Sequence, residues 1–269
     1  MGCGLEEGVT TVKDAGQRIR DILGLESYPV AVKFLTDVAN LKGFRKVLKS
    51  RYCQALMRAR RGESVYLTPD EITCPASARA LGFKPPPEKL LSGEMPAAYG
   101  LFGSPEAASR TIGDMPLLEM GKYKAVALAP LESAPFEPDV VVVEAKVEQV
   151  MWLALASMFK EGGRRTFSTG VLQATCVDAT IVPFLSGEIN MGFGCYGCRE
   201  ATDMADDEAI IGIPGDKLAE IVSSLESLAE KAMPRVRSKA IYRMYAEEKE
   251  HASGHISPLR ARTRQAART

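Results

Sequence analysis

Histidine is almost missing from this chain. It has two, His251 and His255, and the 250 residues before them contain none. That excludes Ser-His-Asp triads, Cys-His dyads and His-ligated zinc or non-haem iron from the body of the fold. Proton transfer there must use carboxylates, thiols, lysine or tyrosine. Net charge is lacking too. The 34 Lys and Arg balance 34 Asp and Glu, so no overall field recruits nucleic acid or a membrane surface. Long apolar runs are also absent: Val150–Phe159 is among the longest and falls well short of the roughly 20 residues of a membrane span. The opening MGCGLEEGVTT carries acids where a secretory signal needs bases, and Glu6 stands where myristoylation wants Ser or Thr. The expectation is a cytoplasmic protein with no membrane and no nucleic-acid partner.

Cysteine, by contrast, is plentiful, at positions 3, 53, 74, 176, 195 and 198. In a reducing compartment these read as free, metal-bound or redox-active before they read as structural disulfides. The strongest local signal is Cys195-Tyr196-Gly197-Cys198. Two sulfurs on one tight turn suit a metal, a cluster or reversible disulfide chemistry. Gly192, Gly194 and Gly197 let backbone amides approach the sulfurs, and Arg199 favours a thiolate; Gly194, Gly197 and Arg199 are therefore candidate cofactor-binding residues. Glycine on both sides reads as a loop rather than a helix start, which weakens a thioredoxin-like reading. Cys53, Cys74 and Cys176 are singletons whose default is a small core hydrophobe. Cys74 precedes Pro75, a pairing that recurs at cluster ligands. Without histidine, Cys53, Cys74, Cys176, Cys195 and Cys198 form the soft-ligand set, enough for an iron–sulfur cluster. A four-cysteine zinc site usually shows two C-x-x-C knuckles, and here there is one. Glu200 or Asp203 is an alternative acid or base beside these thiols, although the run Asp203, Asp206, Asp207, Glu208 reads first as a solvated face. Arg58 and Arg61 lie near Cys53 and read first as helix surface, second as an anion contact.

Apolar periodicity outlines the fold. Thr11–Leu23 reads as an amphipathic helix, Val30–Leu35 as a strand, Leu41–Lys49 as a basic, helical stretch, and Cys53–Arg61 as a helix stopped by Gly62. Lys124–Pro130, Val140–Val143 and Glu208–Ile213 are runs suited to strands buried on both faces. Val147–Phe159 reads as a helix, Met191–Arg199 as a loop, Lys217–Ala232 as a long helix, and Pro234 as the start of a last one. The fold class is α/β or α+β: a mixed sheet with flanking helices. An N-terminal helix occupies 1–27, a single domain 28–250, and a disordered basic tail 251–269, where Arg260, Arg262, Arg264 and Arg268 meet no acid. The domain reads as two similar halves, about 28–138 and 139–232. Each runs strand, helix, Thr-Cys, Ser-Gly-Glu and apolar strand, which predicts internal duplication with Cys74 and Cys176 in equivalent places.

The series PVAVKF, CQALMRARRGE, ITCP, PDVVV, VEQVMWL, ATCVDA, GCR and DEAIIGIP resembles the prokaryotic domain-of-unknown-function family 169, from about Tyr28 to Leu228. The resemblance implies a family of archaea and anaerobic bacteria with no established activity. It implies recurring cysteines at Cys53, Cys74, Cys176 and Cys198, with Cys195 an addition, and a setting that suits an oxygen-sensitive cluster. The functional expectation is a cysteine-centred redox or cofactor-handling protein, its partner a small molecule or an electron-transfer protein. The alternatives are a module for a small anionic ligand and a dithiol/disulfide enzyme.

Overall fold

A computed structural model describes residues 11–39 and 41–253; Cys3, His255 and the arginines of the tail lie outside them. The valine, isoleucine and alanine runs form the middle of a seven-stranded mixed sheet, ordered β2-β3-β4-β1-β5-β7-β6. These strands are β1 (Val30–Leu35), β2 (Arg45–Lys46), β3 (Val65–Leu67), β4 (Ala125–Pro130), β5 (Val140–Lys146), β6 (Asn190–Gly192) and β7 (Glu208–Pro214). Every residue of β4 is buried, as are six of seven in β5 and β7. Burying one Val, Leu or Ile side chain is worth roughly 1.5–3 kcal/mol, so these unalternating strands belong at the sheet centre. The edges are short strands of two and three residues, which leaves little exposed ladder. β2 pairs parallel to β3; every other neighbour is antiparallel.

Outward from the contact between β1 and β5, three strands on each side follow the same order, and β2 is an extra edge strand of the first half. The first strand of each half sits at the seam, where Val30 faces Val142 and Val32 faces Val140. Its partner is the last strand of the same half, with Val30 opposite Pro130 and Val140 opposite Pro214. The outer strand is three residues in each case. Val65 pairs with Leu128, and Asn190 pairs with Gly212 at the matching register. Both last strands end at a proline that opens a 3-10 turn, Leu131–Ser133 or Gly215–Lys217. Even the closing hydrogen bonds match: the Leu131 amide donates to the Pro29 carbonyl (2.8 Å), and the Gly215 amide to the Asp139 carbonyl (3.0 Å).

Two helices hold matching places on this sheet. Tyr52–Arg60 packs over β4, β3 and β1. The continuous stretch formed by the π-helix Ala174–Ile181 and the α-helix Val182–Ser186 packs over β7, β6 and β5. Pro183 sits inside that stretch. Proline has no N–H to offer the Ala179 carbonyl, and that carbonyl lies against Gly212, where a Cβ would stand 2.0 Å away. Only glycine lets the helix come this close. Each of the two helices precedes its outer strand, and a short helix follows that strand: Pro75–Ala80 after β3 and Tyr196–Ala201 after β6.

Three expected segments differ. Leu41–Lys49 is not a helix; it carries β2, whose exposed Arg45 and Lys46 pair in parallel with Val65 and Tyr66. Met191–Arg199 is not a loop but strand end, turn and helix start. Pro234 lies within the helix Leu218–Ser238, and the break falls at Lys239 (φ 52), before Ala240–Ser253. The chain divides into two compact units, one ending at Leu225 and the other beginning at Glu226. In the first, the helix Val12–Leu23 is capped by Thr11, whose hydroxyl accepts the Asp14 amide (3.2 Å), and is tied through Arg20 to Glu132 at 2.8 Å. In the second, Ile241, Tyr242 and Met244 stand on the surface of the last helix.

Candidate functional site: a thiol-lined cavity

The helix starts bring the cysteines together. Cys53 lies in the first turn of Tyr52–Arg60 and Cys176 in the first turn of the π-helix. Cys74 is the N-cap of Pro75–Ala80, and Cys195 the N-cap of Tyr196–Ala201, with Cys198 three residues on. All five line one cavity of about 430 Å³ in the first unit, a volume within the roughly 300–1,000 Å³ typical of small-molecule sites. Cys53, Cys74 and Cys195 are half-buried; Cys176 and Cys198 are buried. The rest of the wall is largely apolar, from Leu90, Met95, Leu101, Ile112 and Leu172. Tyr99 and Tyr196 also line it, their exposed rings stacked at 6.4 Å between centroids.

The thiols feel one another. Burial, then the charges of Cys195 and Cys74, push the Cys53 thiol up to about 12. Cys176 is also pushed well up, first by burial and then by the charges of Cys74, Cys195 and Cys53. Cys195 goes the other way. The neighbouring Cys198 side chain lowers it most, against burial, helped by the backbone amides of Cys198, Ala174 and Gln173. Cys198, which holds the proton of the pair, is raised in return. The backbone fixes this arrangement: the Cys195 amide donates to Cys198 Sγ (2.9 Å), and the Cys198 amide to Cys195 Sγ (3.4 Å).

Polar side chains frame the sulfurs unequally. Arg51, the N-cap of Tyr52–Arg60, donates to the Gly197 carbonyl (3.0 Å) and pairs with Glu200 (3.1 Å). Burial works against its guanidinium, but Glu200 and the charges at Cys74 and Cys53 outweigh this and raise its pKa. Gln173, the N-cap of the π-helix, is 4% exposed, and neither its Oε1 nor its Nε2 has a hydrogen-bond partner. A buried amide with both ends unmet costs roughly 1–3 kcal/mol per group, and this one faces the cavity.

Other sequence-predicted residues fall elsewhere. Gly197 lines the cavity; Gly194 and Arg199 do not. Gly194 (φ +81) turns the chain against Met204, and the Arg199 guanidinium donates to the carbonyls of Phe193, Ala205 and Glu208, so it closes the segment around the cysteines rather than meeting a ligand. Glu200 reaches the cavity, already paired with Arg51. Asp203 accepts from Arg61 at 2.9 Å, and Arg58 pairs with Glu63 at 3.6 Å. The C-x-x-C does open a helix three residues after a strand, contrary to the loop expected from its glycines. Gln173 and the tyrosine pair gave no sequence signal, since each acquires its role from long-range packing. Arg51 had one: a cation two residues before Cys53 at a helix start.

As a donor set, the cavity offers soft sulfur ligands and one cation. Among the described residues, no three Cys, His, Asp or Glu side chains are gathered tightly enough to hold a single metal ion. The thiols surround a space instead.

An α/β protein with a mixed, twice-repeated strand order and a thiol-walled cavity is what fold and site define. The model of the family described as uncharacterised ArCR (domain of unknown function 169) matches residues 18–224, and the chain belongs to that family. It is similar to an uncharacterized protein of Methanocaldococcus jannaschii, 28% identical over 222 residues that cover 81% of this chain and 95% of that protein. No solved structure matches. Among the described residues no helix is long and apolar enough to cross a membrane.

Proposed function

We propose that this chain is a cysteine-centred redox or cofactor-handling protein whose cavity holds an iron–sulfur cluster. The observation that carries the reading is the convergence of Cys53, Cys74, Cys176, Cys195 and Cys198 on one cavity, from positions spread over most of the sequence. Core cysteines with no shared task would scatter between the two sheet halves. When bound, a cluster supplies reversible one-electron transfer, at a potential set by charge, hydrogen bonds to sulfur and solvent access. The chain's own groups address each of these. Arg51 offsets thiolate charge, the amides of Ala174 and Gln173 point at Cys195, and the free Gln173 amide has a donor to give a sulfide. Apolar residues from the helices between Glu88 and Gly113 limit water. An electron partner or small molecule approaches past Tyr99 and Tyr196, and a reducing cytoplasm keeps the thiols available. Anaerobic purification with iron and acid-labile sulfide analysis tests the reading. The expected result is coloured protein containing both; protein that stays colourless and takes up neither on reconstitution overturns it.

One observation favours a second reading, a dithiol/disulfide site. Cys195 is held toward thiolate by a buried neighbour that carries the proton, the asymmetry expected of an attacking and a resolving thiol. Oxidation of this thiolate–thiol pair would form a Cys195–Cys198 S–S bond and cleave that of an acceptor disulfide, which takes the two electrons, the Cys198 proton and one proton from solvent to become a dithiol. Under this reading metal-free protein shows Cys195 alkylated well before the other thiols near neutral pH, and the free-thiol count falls by two on treatment with an oxidised dithiol.

A further inference from the structure

We propose that four of the five cysteines, Cys53, Cys74, Cys176 and Cys195, are the ligands of the bound cluster, and that Cys198 is a positioning residue. This rests on the cluster reading above and departs from the ligand set that the family resemblance implies.

The argument comes from the sheet. The shared strand register gives each residue of one half a counterpart in the other, and the helices follow the strands. Cys53 and Cys176 each occupy the first turn of the helix that precedes the outer strand and packs on the matching three strands of its own half. Cys74 and Cys195 are each the N-cap of the short helix that follows the outer strand. The contacts cross between the halves: Tyr52–Arg60 packs on Tyr196–Ala201, and Pro75–Ala80 on Ala174–Ile181. One helix-turn thiol and one N-cap thiol from each half therefore meet at the same cavity. Four ligands in two related pairs suit a body that is itself symmetric.

Cys198 has a counterpart as well, and it is a serine. Cys74-Pro75-Ala76-Ser77 stands where Cys195-Tyr196-Gly197-Cys198 stands. Ser77 is 2% exposed and Cys198 0%. The Ser77 hydroxyl donates to the Cys74 carbonyl at 3.3 Å, and the Cys198 thiol to the Cys195 carbonyl at 3.1 Å. The two side chains make the same bond from the same place, and a hydroxyl does the job in the first half. Cys198 therefore orients the turn that presents Cys195, as Ser77 does for Cys74. The N-cap residues of the longer helices are matched in the same way: Arg51 and Gln173 both line the cavity, and the unpartnered Gln173 amide marks where this wall meets a ligand.

The test uses the full chain, stripped and then reconstituted anaerobically with ferrous iron and sulfide. Bound iron, acid-labile sulfide and visible absorbance are measured, and a thermal melt reports the fold. Cys198→Ser is expected to keep the wild-type iron and sulfide, since serine already fills the matching place; Cys198→Ala is the second variant should the hydroxyl prove unwelcome. Cys53→Ser, Cys74→Ser, Cys176→Ser and Cys195→Ser, each still folded, are expected to lose most of both. Ser77→Cys placed in the Cys74→Ser protein is expected to restore nothing. Loss of iron in Cys198→Ser and Cys198→Ala with retention in Cys195→Ser overturns the assignment, and so does rescue by Ser77→Cys. Wild-type protein that takes up no iron and sulfide fails differently: it removes the cluster reading itself, and the ligand assignment with it.

Discussion

Phe34 on β1 and Glu144 on β5 stand at the same register, one opposite Val126 and the other opposite Ile210. Both are buried, yet their surroundings are chemically opposed. Phe34 meets Phe184, from the end of the second-half helix, edge-on at 4.7 Å, with Tyr123 beside them. Glu144 meets Arg60, from the end of the first-half helix, at 2.7 Å, and Arg60 also holds Glu208 at 2.9 Å. One topology thus joins its helices to the opposite half by an aromatic cluster on one side and an ion triad on the other. The lesson is that strand register specifies which residues meet, and leaves open what chemistry they use. An aromatic pair adds roughly 0.5–1.5 kcal/mol beyond its buried area, whereas a buried ion pair is close to neutral while intact and expensive when broken.

Breaking the triad should give the largest effect. Arg60→Ala is expected to cost about 3–5 kcal/mol, because Glu144 is left buried without its cation; burial already raises its pKa against the pull of Arg60. Arg60→Leu with Glu144→Leu should cost less than Arg60→Ala alone, bringing this side closer to its aromatic counterpart. Denaturant melts of the set decide the matter: additive losses would show that the groups do not act as a unit.

Next comes Gly212, whose counterpart is Leu128. Gly212→Ala should destabilise by roughly 1–3 kcal/mol or more, since the new Cβ meets the Ala179 carbonyl. Leu128→Ala should instead leave a void under the first-half helix, with the roughly 2–5 kcal/mol cost of a deleted core side chain. Similar melting curves for Gly212→Ala and wild type would mean the second-half helix has room to move.

A smaller effect is expected at the hydrogen bond joining the two helices, Tyr52 Oη with Thr180 Oγ1 at 3.0 Å. Thr180 also donates to the Thr175 carbonyl (2.7 Å), so Tyr52→Phe leaves it satisfied, and a loss of about 0.5–1.5 kcal/mol follows. A loss several times larger would place Tyr52 in the cavity's chemistry.

The smallest effect concerns an acid that the helix Tyr52–Arg60 lacks. Burial raises Asp178 to about 6, against hydrogen bonds from Thr169 and the Gly170 amide. Its folded pKa lies above the usual ~4 of an unfolded Asp. The contribution to stability is therefore full below that value and lost as pH rises through about 6. Asp178→Asn should flatten the stability profile across that window and leave the Thr169 bond in place; an unchanged slope would assign the pH dependence to other groups.

Much of the sheet was legible. Val30–Leu35 needed no adjustment, and the runs ending at Pro130 and Pro214 are strands because short apolar runs bounded by turn residues suit a strand buried on both faces. The site was only half legible. Elimination of histidine left thiols as the ligands to consider, but their convergence depends on strand pairings between segments far apart in the chain. Local cues also misled. Three glycines around Cys195 read as a loop, although Gly192 ends a strand, Gly194 makes one turn and Gly197 sits inside a helix. The repeated Thr-Cys pair matched Cys74 to Cys176, but Cys74 follows its outer strand and Cys176 precedes its own. By place in the sheet, Cys74 corresponds to Cys195.

The seam has a consequence for how the chain is made. β1 pairs on one side with β4 and on the other with β5, through Val30–Val32 against Val140–Val142. A ribosome that has released residues up to Pro130 has delivered every strand of the first half, while the second side of β1 is still a bare row of N–H and C=O groups. Since β5 occupies the counterpart place, the strand that fits this edge resembles β1 itself, so two nascent chains on one messenger present edges that fit each other. Translation from Leu131 to Val142 is the interval in which wrong pairing competes with right, and a pause there should raise the yield of aggregated product.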